Sequence, residues 1–526
     1  MLQRIDLSLP LNKIEGTVES FLKEQFACDY KIIKRSIDAR RKGQIKINIS
    51  LKADLDDAQI KQFKNNFPKA KFSVLKVIDT TKGSQIPYSK SNISPIIVGS
   101  GPSGLFCALH LLKNGIRSTI LEQGDPVETR LKKVYEFWNN GVLDEKSNVQ
   151  FGEGGAGTFS DGKLTTGKNN LHIPTVLKQF VVWGAPEEIL YESKPHIGTD
   201  KLITVVRNIR EYLIKNGCKI IFNSEITDLT LKDEKVVELT INEEQKVVVG
   251  ICVLAIGNSS INLFRLLYKK GIKLQQKNFA VGFRVEHPQA LIDEIQYGKD
   301  SKHPALPRAD YKLTFNQNGI GVYSFCMCPG GKVIAASSEK NKLVTNGMST
   351  FERNSGFANS ALIVGINEKF LEQFNGPQEL KGLVFQEELE KKTFEIGGNN
   401  YYAPVQRLTS YIKDDVDSSP INCSYKPGVS NRNLNELLPA EINMHLKAGL
   451  DHFGAKLKGF LSQEAVLIGT ETRTSSPVTI LRQENGNSVN CNNLFPCGEG
   501  AGYAGGIMSS ALDGIRTAEN IIKIFS

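Results

Sequence analysis

Six residues, Gly99-Ser100-Gly101-Pro102-Ser103-Gly104, separate the apolar run IIV from the apolar stretch LFCALHLL. A glycine turn between a strand and a helix can cradle phosphate. Gly99 permits the tight turn, Gly101 lets the backbone approach a pyrophosphate, and Gly104 lets the helix pack against the strand. Pro102 and Ser103 open a helix whose free N–H groups and positive dipole end suit an anion. Glu122 closes the next strand, 18 positions after Gly104. A carboxylate there accepts hydrogen bonds from ribose hydroxyls and repels a 2′-phosphate, so the pattern suits FAD or NAD and disfavours NADP.

Three further stretches point to FAD. In NLFPCGEGAGYAGGIMSSALDGIRTAE, residues 493 to 519, an apolar strand runs into Gly498-Glu499, and small residues lead to a long helix. FAD enzymes of the glutathione-reductase type carry a similar strand, turn and acid that reach the ribityl chain, usually with Asp where this chain has Glu499. A helix starting near Gly505-Gly506-Ile507 would aim its N–H groups at the flavin N1–C2=O edge, which gains negative charge on reduction. The strand KVVVGICVLAIG ends in Ala255-Ile256-Gly257, where such folds often place Ala-Thr-Gly. The glycine-rich FGEGGAGTFSDGKLTTG, residues 151 to 167, follows no clear strand, so it is expected as a wall of the flavin pocket. Gly155 and Gly157 would allow close backbone approach, and Thr158, Ser160 and Thr165 would offer hydroxyls.

Catalysis would then belong to the flavin, with protein groups orienting a substrate. Phe283-Arg284-Val285-Glu286-His287 offers a cation, a carboxylate and an imidazole at a strand end, with Arg284 and Glu286 on one face as a clamp or a plain ion pair. His287 is a candidate general acid. Arg407 and Arg473 would suit an anionic substrate, and Arg473-Thr474-Ser475 is the preferred substrate-facing segment. In a regular strand Cys326 and Cys328 share a face roughly 6 to 7 Å apart at Cα, at the edge of disulfide reach, and a buried structural role is expected. The CxxxxC pair of disulfide reductases is absent, as is a second complete GxGxxG unit with an acidic strand end. Any NADH or NADPH donor would bind without its own Rossmann domain.

The elements that must position these residues parse into four segments. At 526 residues the chain is long enough for several domains. Residues 1–88 read as βαββαβ, the ferredoxin-like order. The polar stretch at residues 80–94 reads as a linker. Residues 89–277 read as the first part of an FAD-binding domain, 278–440 as a mostly β inserted substrate or cap domain, and 441–526 as the return to the FAD-binding domain. The fold class is therefore mixed α/β and α+β. Within residues 1–90 there are 18 Lys and Arg against 10 Asp and Glu, nearly the whole net charge of +9. A lysine-rich solvated surface accounts for that surplus, and a nucleic-acid partner is the alternative. No apolar run is long enough for a bilayer. The opening residues lack a secretory pattern, and nine scattered cysteines form neither a disulfide framework nor zinc knuckles. A cytoplasmic protein with reduced thiols and no metal is expected.

Taken together, RSIDARRK, IIVGSGPSGLF, LEQGDPVETR, FGEGGAGTFSDGKLTTG, GFRVEHPQALID, YSFCMCPGG, NGMSTFERN, YAPVQRL, GTETRTSSPV and PCGEGAGYAGGIMSSALDGIRTAE give a further indication. Nearly end to end, the chain resembles a bacterial group of FAD-dependent (NAD/FAD-utilising) dehydrogenases in the glutathione-reductase-like superfamily. The resemblance implies an FAD-binding oxidoreductase and names no substrate. It also places Arg130 near the cofactor phosphates. Hydride transfer with a small organic substrate is the first reading. A flavin-dependent RNA-modifying enzyme using the basic N-terminal domain and a non-enzymatic FAD-binding redox sensor are the alternatives.

Overall fold

The computed structural model describes residues 2–26, 28–75, 94–167, 169–416 and 418–525. Except for Ser94, the segment expected as a linker lies outside these residues, as does the end of the strand expected at residues 71–79, which is observed as Lys71–Val74.

The strands Leu2–Pro10, Tyr30–Asp38, Lys46–Asp54 and Lys71–Val74 form an antiparallel sheet in the order second, third, first, fourth. Period-2 alternation turns Ile5, Leu7 and Leu9 to one face, paired with Leu51, Ile49 and Ile47. Val18 and Leu22 of the helix Val18–Gln25 and Phe63 of the helix Asp57–Asn66 bury that face. Both helices begin at capping boxes, Thr17 with Ser20 and Asp56 with Gln59, which satisfy otherwise orphaned N–H groups. Arg35 ties this unit to the rest of the chain through Glu192, and His303 Nε2 lies 3.1 Å from the Ile14 carbonyl oxygen.

A five-stranded parallel sheet runs Leu494–Pro496, Cys252–Leu254, Ile96–Val98, Thr119–Leu121, Lys219–Ile221. Its inner strands are apolar but for Thr119 because both faces are covered. Ile97, Ile120, Val253 and Phe495 pack under the helices Pro102–Lys113, Thr199–Lys215 and Ile507–Phe525. Ile96, Val98, Leu121 and Leu254 pack against Leu229, Val236 and Leu239 of a three-stranded antiparallel sheet. Two helices meet so closely that a Cβ on Gly514 would collide with the Ser103 carbonyl oxygen.

The second large layer is a seven-stranded sheet in the order Thr314–Gln317, Ile320–Cys328, Phe357–Ile366, Phe279–Pro288, Val466–Glu471, Ala403–Arg407, Val429–Asn431. It corrects the boundary expected at residue 440. Val466–Glu471 lies inside this sheet, antiparallel to both neighbours. The helix Ala440–Lys456 buries Ile442, Leu446, Leu450 and Phe453 in the same core as Val322, Leu362 and Val364. The return to the parallel sheet comes after Glu471, where Val478–Ile480 pairs with Leu274–Gln276. An apolar helix and strand look alike in sequence whichever sheet they join, so a boundary drawn on texture fell some thirty residues early. No helix among the described residues is long and apolar enough to cross a membrane.

Candidate cofactor and active site

The carboxyl ends of the parallel strands open onto a cavity of about 620 Å³, bounded on its far side by the seven-stranded sheet. This is where open α/β sheets bind ligands. Gly99, Gly101, Pro102, Ser103, Glu122, Gly155, Gly157, Gly257, Glu499, Gly505, Gly506 and Ile507 all line it, so segments far apart in sequence meet at one site.

At one end lies the start of the helix Pro102–Lys113. Its N-cap is Gly101, which supplies no side-chain cap, and Pro102 takes the first turn. First-turn N–H groups without a capping side chain, beside a cavity, form an anion site. Gly99 has φ +101°, a left-handed conformation that favours glycine. A Cβ on Gly101 would meet only Gly155 Cα, at 3.8 Å, and would stand in the cradle itself. The donor set, the open cradle and the nearby carboxylate fit a dinucleotide.

The glycine-rich loop at 151–167 is folded against that turn. Gly154 N–H donates to the Ser100 carbonyl (3.0 Å), and Gly152 N–H donates to Glu122 (3.0 Å). Glu122 also accepts from Ser100 N–H (2.9 Å), Ser100 Oγ (2.7 Å) and Gly124 N–H (3.0 Å). Four donors use the four lone-pair sites of a carboxylate. The role this geometry gives Glu122 is to clamp the two glycine loops together, with its negative charge still at the cavity edge.

Arg130 differs from expectation. It is wholly buried and does not reach the cavity. Its guanidinium donates to the carbonyls of Asn148, Val149, Gly152, Glu153 and Gly155 at 2.6–3.2 Å and lies 4.8 Å over the Phe159 ring. Burial lowers its pKa to about 10, against the pull of Glu122 and Glu153. The helix Val127–Asn140 turns Arg130 inward beneath the loop, so the side chain moulds the loop from behind. Thr158, Gly104 and Gly498 also lie off the cavity. Thr158 Oγ1 faces the Glu153 carbonyl, a Cβ on Gly104 would strike the Gly99 carbonyl oxygen, and one on Gly498 would strike Ser103. These two glycines serve close packing.

At the other end, Glu499 accepts from Asn258 Nδ2 (3.1 Å) and from Gly506 N–H (3.2 Å), and Gly505 N–H donates to Ser509 Oγ (3.0 Å). The extra methylene of Glu lets the carboxylate reach the start of the terminal helix. Burial raises the Glu499 pKa, with the Gly506 N–H opposing it.

The candidate catalytic groups divide. Arg473 lines the cavity, but Glu390 takes its Nε (2.9 Å) and Nη2 (2.8 Å) and Ser338 Oγ its Nη1 (2.6 Å), so its charge is spent within the protein. Arg284 is wholly buried, bidentate from Nη1 to Glu471 at 2.9 and 2.7 Å, and Glu471 rather than Arg284 faces the cavity. Glu286 accepts from Ser424 N–H (2.7 Å) while Arg284 pairs with Glu471, so Arg284 and Glu286 make neither the clamp nor the ion pair that were the two expectations. Arg407 donates to Gln463, Ser419 and Pro420, away from the cavity.

His287 is wholly buried, with Nε2 2.9 Å from the Phe460 carbonyl oxygen, and lies off the cavity, so it is no general acid for this site. Burial lowers its pKa to about 4. Because the unfolded chain takes up this proton first, the stability held above about pH 6.5 is lost as pH falls towards 4, by about 3 kcal/mol. Denaturant unfolding of the wild type and of His287→Gln at pH 7.5 and 4.5 checks this. The wild type is expected to lose about 2.5 kcal/mol more than the variant, and equal losses would show an ordinary histidine.

Asp161, Lys163 and Asn258 are among the cavity residues that carried no individual expectation. Asp161 is buried, pairs with Arg353 at 2.7 Å and lies 3.1 Å from Lys163 Nζ. Burial works against both charges, and their attraction outweighs it, holding Asp161 below and Lys163 above their ordinary ranges. The signal available in sequence was an Asp-Gly-Lys inside a loop already suspected of facing the cofactor.

Residues 278–474 match the family described as "FAD-dependent protein, C-terminal domain-like", a range that spans the seven-stranded sheet, and residues 1–54 match "Domain of unknown function (DUF8436)". The chain thus carries a domain of FAD-dependent proteins. It belongs to the same family as a Clostridium beijerinckii protein described as "Uncharacterized protein", with which it is 43% identical over 498 residues, 94% of this chain and 92% of that one. Among solved structures, the flavin-dependent brominase Bmp2 is 13% identical with a TM-score of 0.37, covering 82% of this chain and 79% of its own. Glycine oxidase from Bacillus cereus is 11% identical with a TM-score of 0.34, covering 82% and 95%. Likenesses this distant carry no argument about the chemistry of this chain.

Proposed function

We propose that this protein is an FAD-dependent oxidoreductase of the glutathione-reductase-like type, passing a hydride between the flavin and a small organic substrate. One observation carries the reading: a single cavity takes in the uncapped helix start at Gly101–Ser103, the clamped loop at Gly155–Gly157 and the second helix start at Gly505–Ile507. When bound, FAD supplies hydride donation and acceptance. Gly101, Pro102 and Ser103 would hold its diphosphate, and the Glu122 charge would exclude a 2′-phosphate. Gly257, Glu499 and Gly505–Ile507 would line the flavin end. Asp161, Lys163, Glu471 and Asn258 supply polar groups beside that end, while the seven-stranded sheet closes the cavity on the far side.

The test is an anaerobic visible spectrum of the purified protein before and after NADH and then NADPH. The bands of oxidised flavin are expected, with bleaching by a pyridine nucleotide identifying the donor. A yellow protein that neither nucleotide bleaches would take its electrons from the substrate. A protein that neither holds nor rebinds FAD would overturn the reading.

A further inference from the structure

The strand Ile320–Cys328 is irregular at its end. Its register with Phe357–Ile366 runs Phe325 to Ala361 and then Cys328 to Asn359, leaving Cys326 and Met327 opposite Ser360 alone. This is a bulge, and bulges re-aim side chains next to functional sites. Cys326 takes φ +44° there, lines the cavity and is half-buried, whereas Cys328 is wholly buried behind it. Cys328 Sγ donates to the Cys326 carbonyl oxygen at 3.3 Å, so the buried thiol is folded back onto the bulge that carries Cys326. A cavity-facing sulfur backed by a buried one is the layout of an attacking and a resolving cysteine.

The surroundings suit a thiolate. Arg284 Nη2 donates to the Cys326 carbonyl (2.7 Å) and lies 3.5 Å from Cys328 Sγ. Lys163 lines the same cavity; apart from its contact with Asp161, its shielded Nζ has no hydrogen-bond partner among the described residues. The neighbouring Cys328 thiol, aided by Lys163 and Arg284, holds the Cys326 thiol far below the ordinary cysteine range, against the opposing effect of burial. Cys328 is pushed up correspondingly. Glu499, Gly505 and Ile507, the residues assigned to the flavin end, share this cavity with Cys326.

We propose that Cys326 and Cys328 are a redox-active dithiol that exchanges an electron pair with the flavin in this cavity, closing and opening a disulfide. The proposal rests on the FAD reading above. In closing, the Cys326 thiolate and the Cys328 thiol lose two electrons between them. An S–S bond forms, the Cys328 S–H bond breaks, and the proton and electron pair pass to FAD. A thiolate, a thiol and FAD thus become a disulfide and FADH⁻, and the reverse restores the dithiol. The chain then stores two electron pairs at one site.

The experiment is an anaerobic dithionite titration of the holoprotein after ferricyanide oxidation and desalting, with mass analysis of the tryptic peptide that contains both cysteines. Four electrons per flavin are expected in the wild type and two in Cys328→Ser. The oxidised wild-type peptide should be lighter by two hydrogens and resist alkylation until reduced. The mass measurement stands on the wild type alone, should the buried variant fail to fold. Two electrons per flavin with both cysteines freely alkylated after oxidation would overturn the dithiol and leave the flavin reading intact. A protein without flavin would overturn both.

Discussion

Replacing Arg284 with methionine is expected to cost about 3–5 kcal/mol of stability at neutral pH, because it leaves the buried Glu471 carboxylate without its partner. The guanidinium also serves Asn359 Oδ1 (2.8 Å) and the Cys326 carbonyl, so several buried acceptors lose their donor together. Burial already raises the Glu471 pKa to about 7, with Arg284 the main opposing influence. Without Arg284 it rises further. A carboxyl whose folded pKa exceeds its unfolded value binds its proton more tightly when folded, so stability falls as pH rises through that range. The variant should therefore be least impaired near pH 5 and most impaired above pH 7. Denaturant titrations at both pH values check this, and adding Glu471→Leu should recover most of the loss. A single variant as stable as the wild type at pH 8 would show that the pair contributes nothing.

Gly101→Ala is expected to fold normally and lose FAD, while Gly104→Ala is expected to be clearly destabilised. The added methyl at residue 101 meets only Gly155 Cα, at an ordinary contact distance, and projects into the phosphate cradle. Its effect on stability should stay within about 1 kcal/mol, the cost of exchanging a glycine N-cap for alanine. Cofactor affinity should fall at least about tenfold, or 1.4 kcal/mol. At residue 104 the methyl strikes the Gly99 carbonyl oxygen, and helix and strand must part, an overpacking cost of about 1–3 kcal/mol or more. Flavin-to-protein ratio and thermal midpoint together separate the two cases. A Gly101→Ala protein that retains a full complement of flavin would move the phosphate site elsewhere.

The sequence by itself determined the local pieces: the strand, glycine turn and helix around Gly99–Gly104, the alternation that buries Ile5, Leu7 and Leu9, and the turn at Gly498-Glu499. Each depends on the spacing of a few neighbours, through backbone conformations that favour glycine or through a repeat of two or 3.6 residues. The glycine turns that meet at the cavity were legible for that reason. What only the tertiary structure decided was the partner each charge would find. Arg130, Arg284 and Arg473 look equally available in sequence, yet the folded chain gives them carbonyls of a loop 18–25 positions on, Glu471 and Glu390. The same holds for Val466–Glu471, which joins one sheet when its position in the chain suggests another, and for the bulge that turns Cys326 towards the cavity. Pairings between residues well beyond one element's length apart, from 18 to 187 positions here, leave no local periodicity behind. They are settled by which buried groups must be satisfied once the layers have packed.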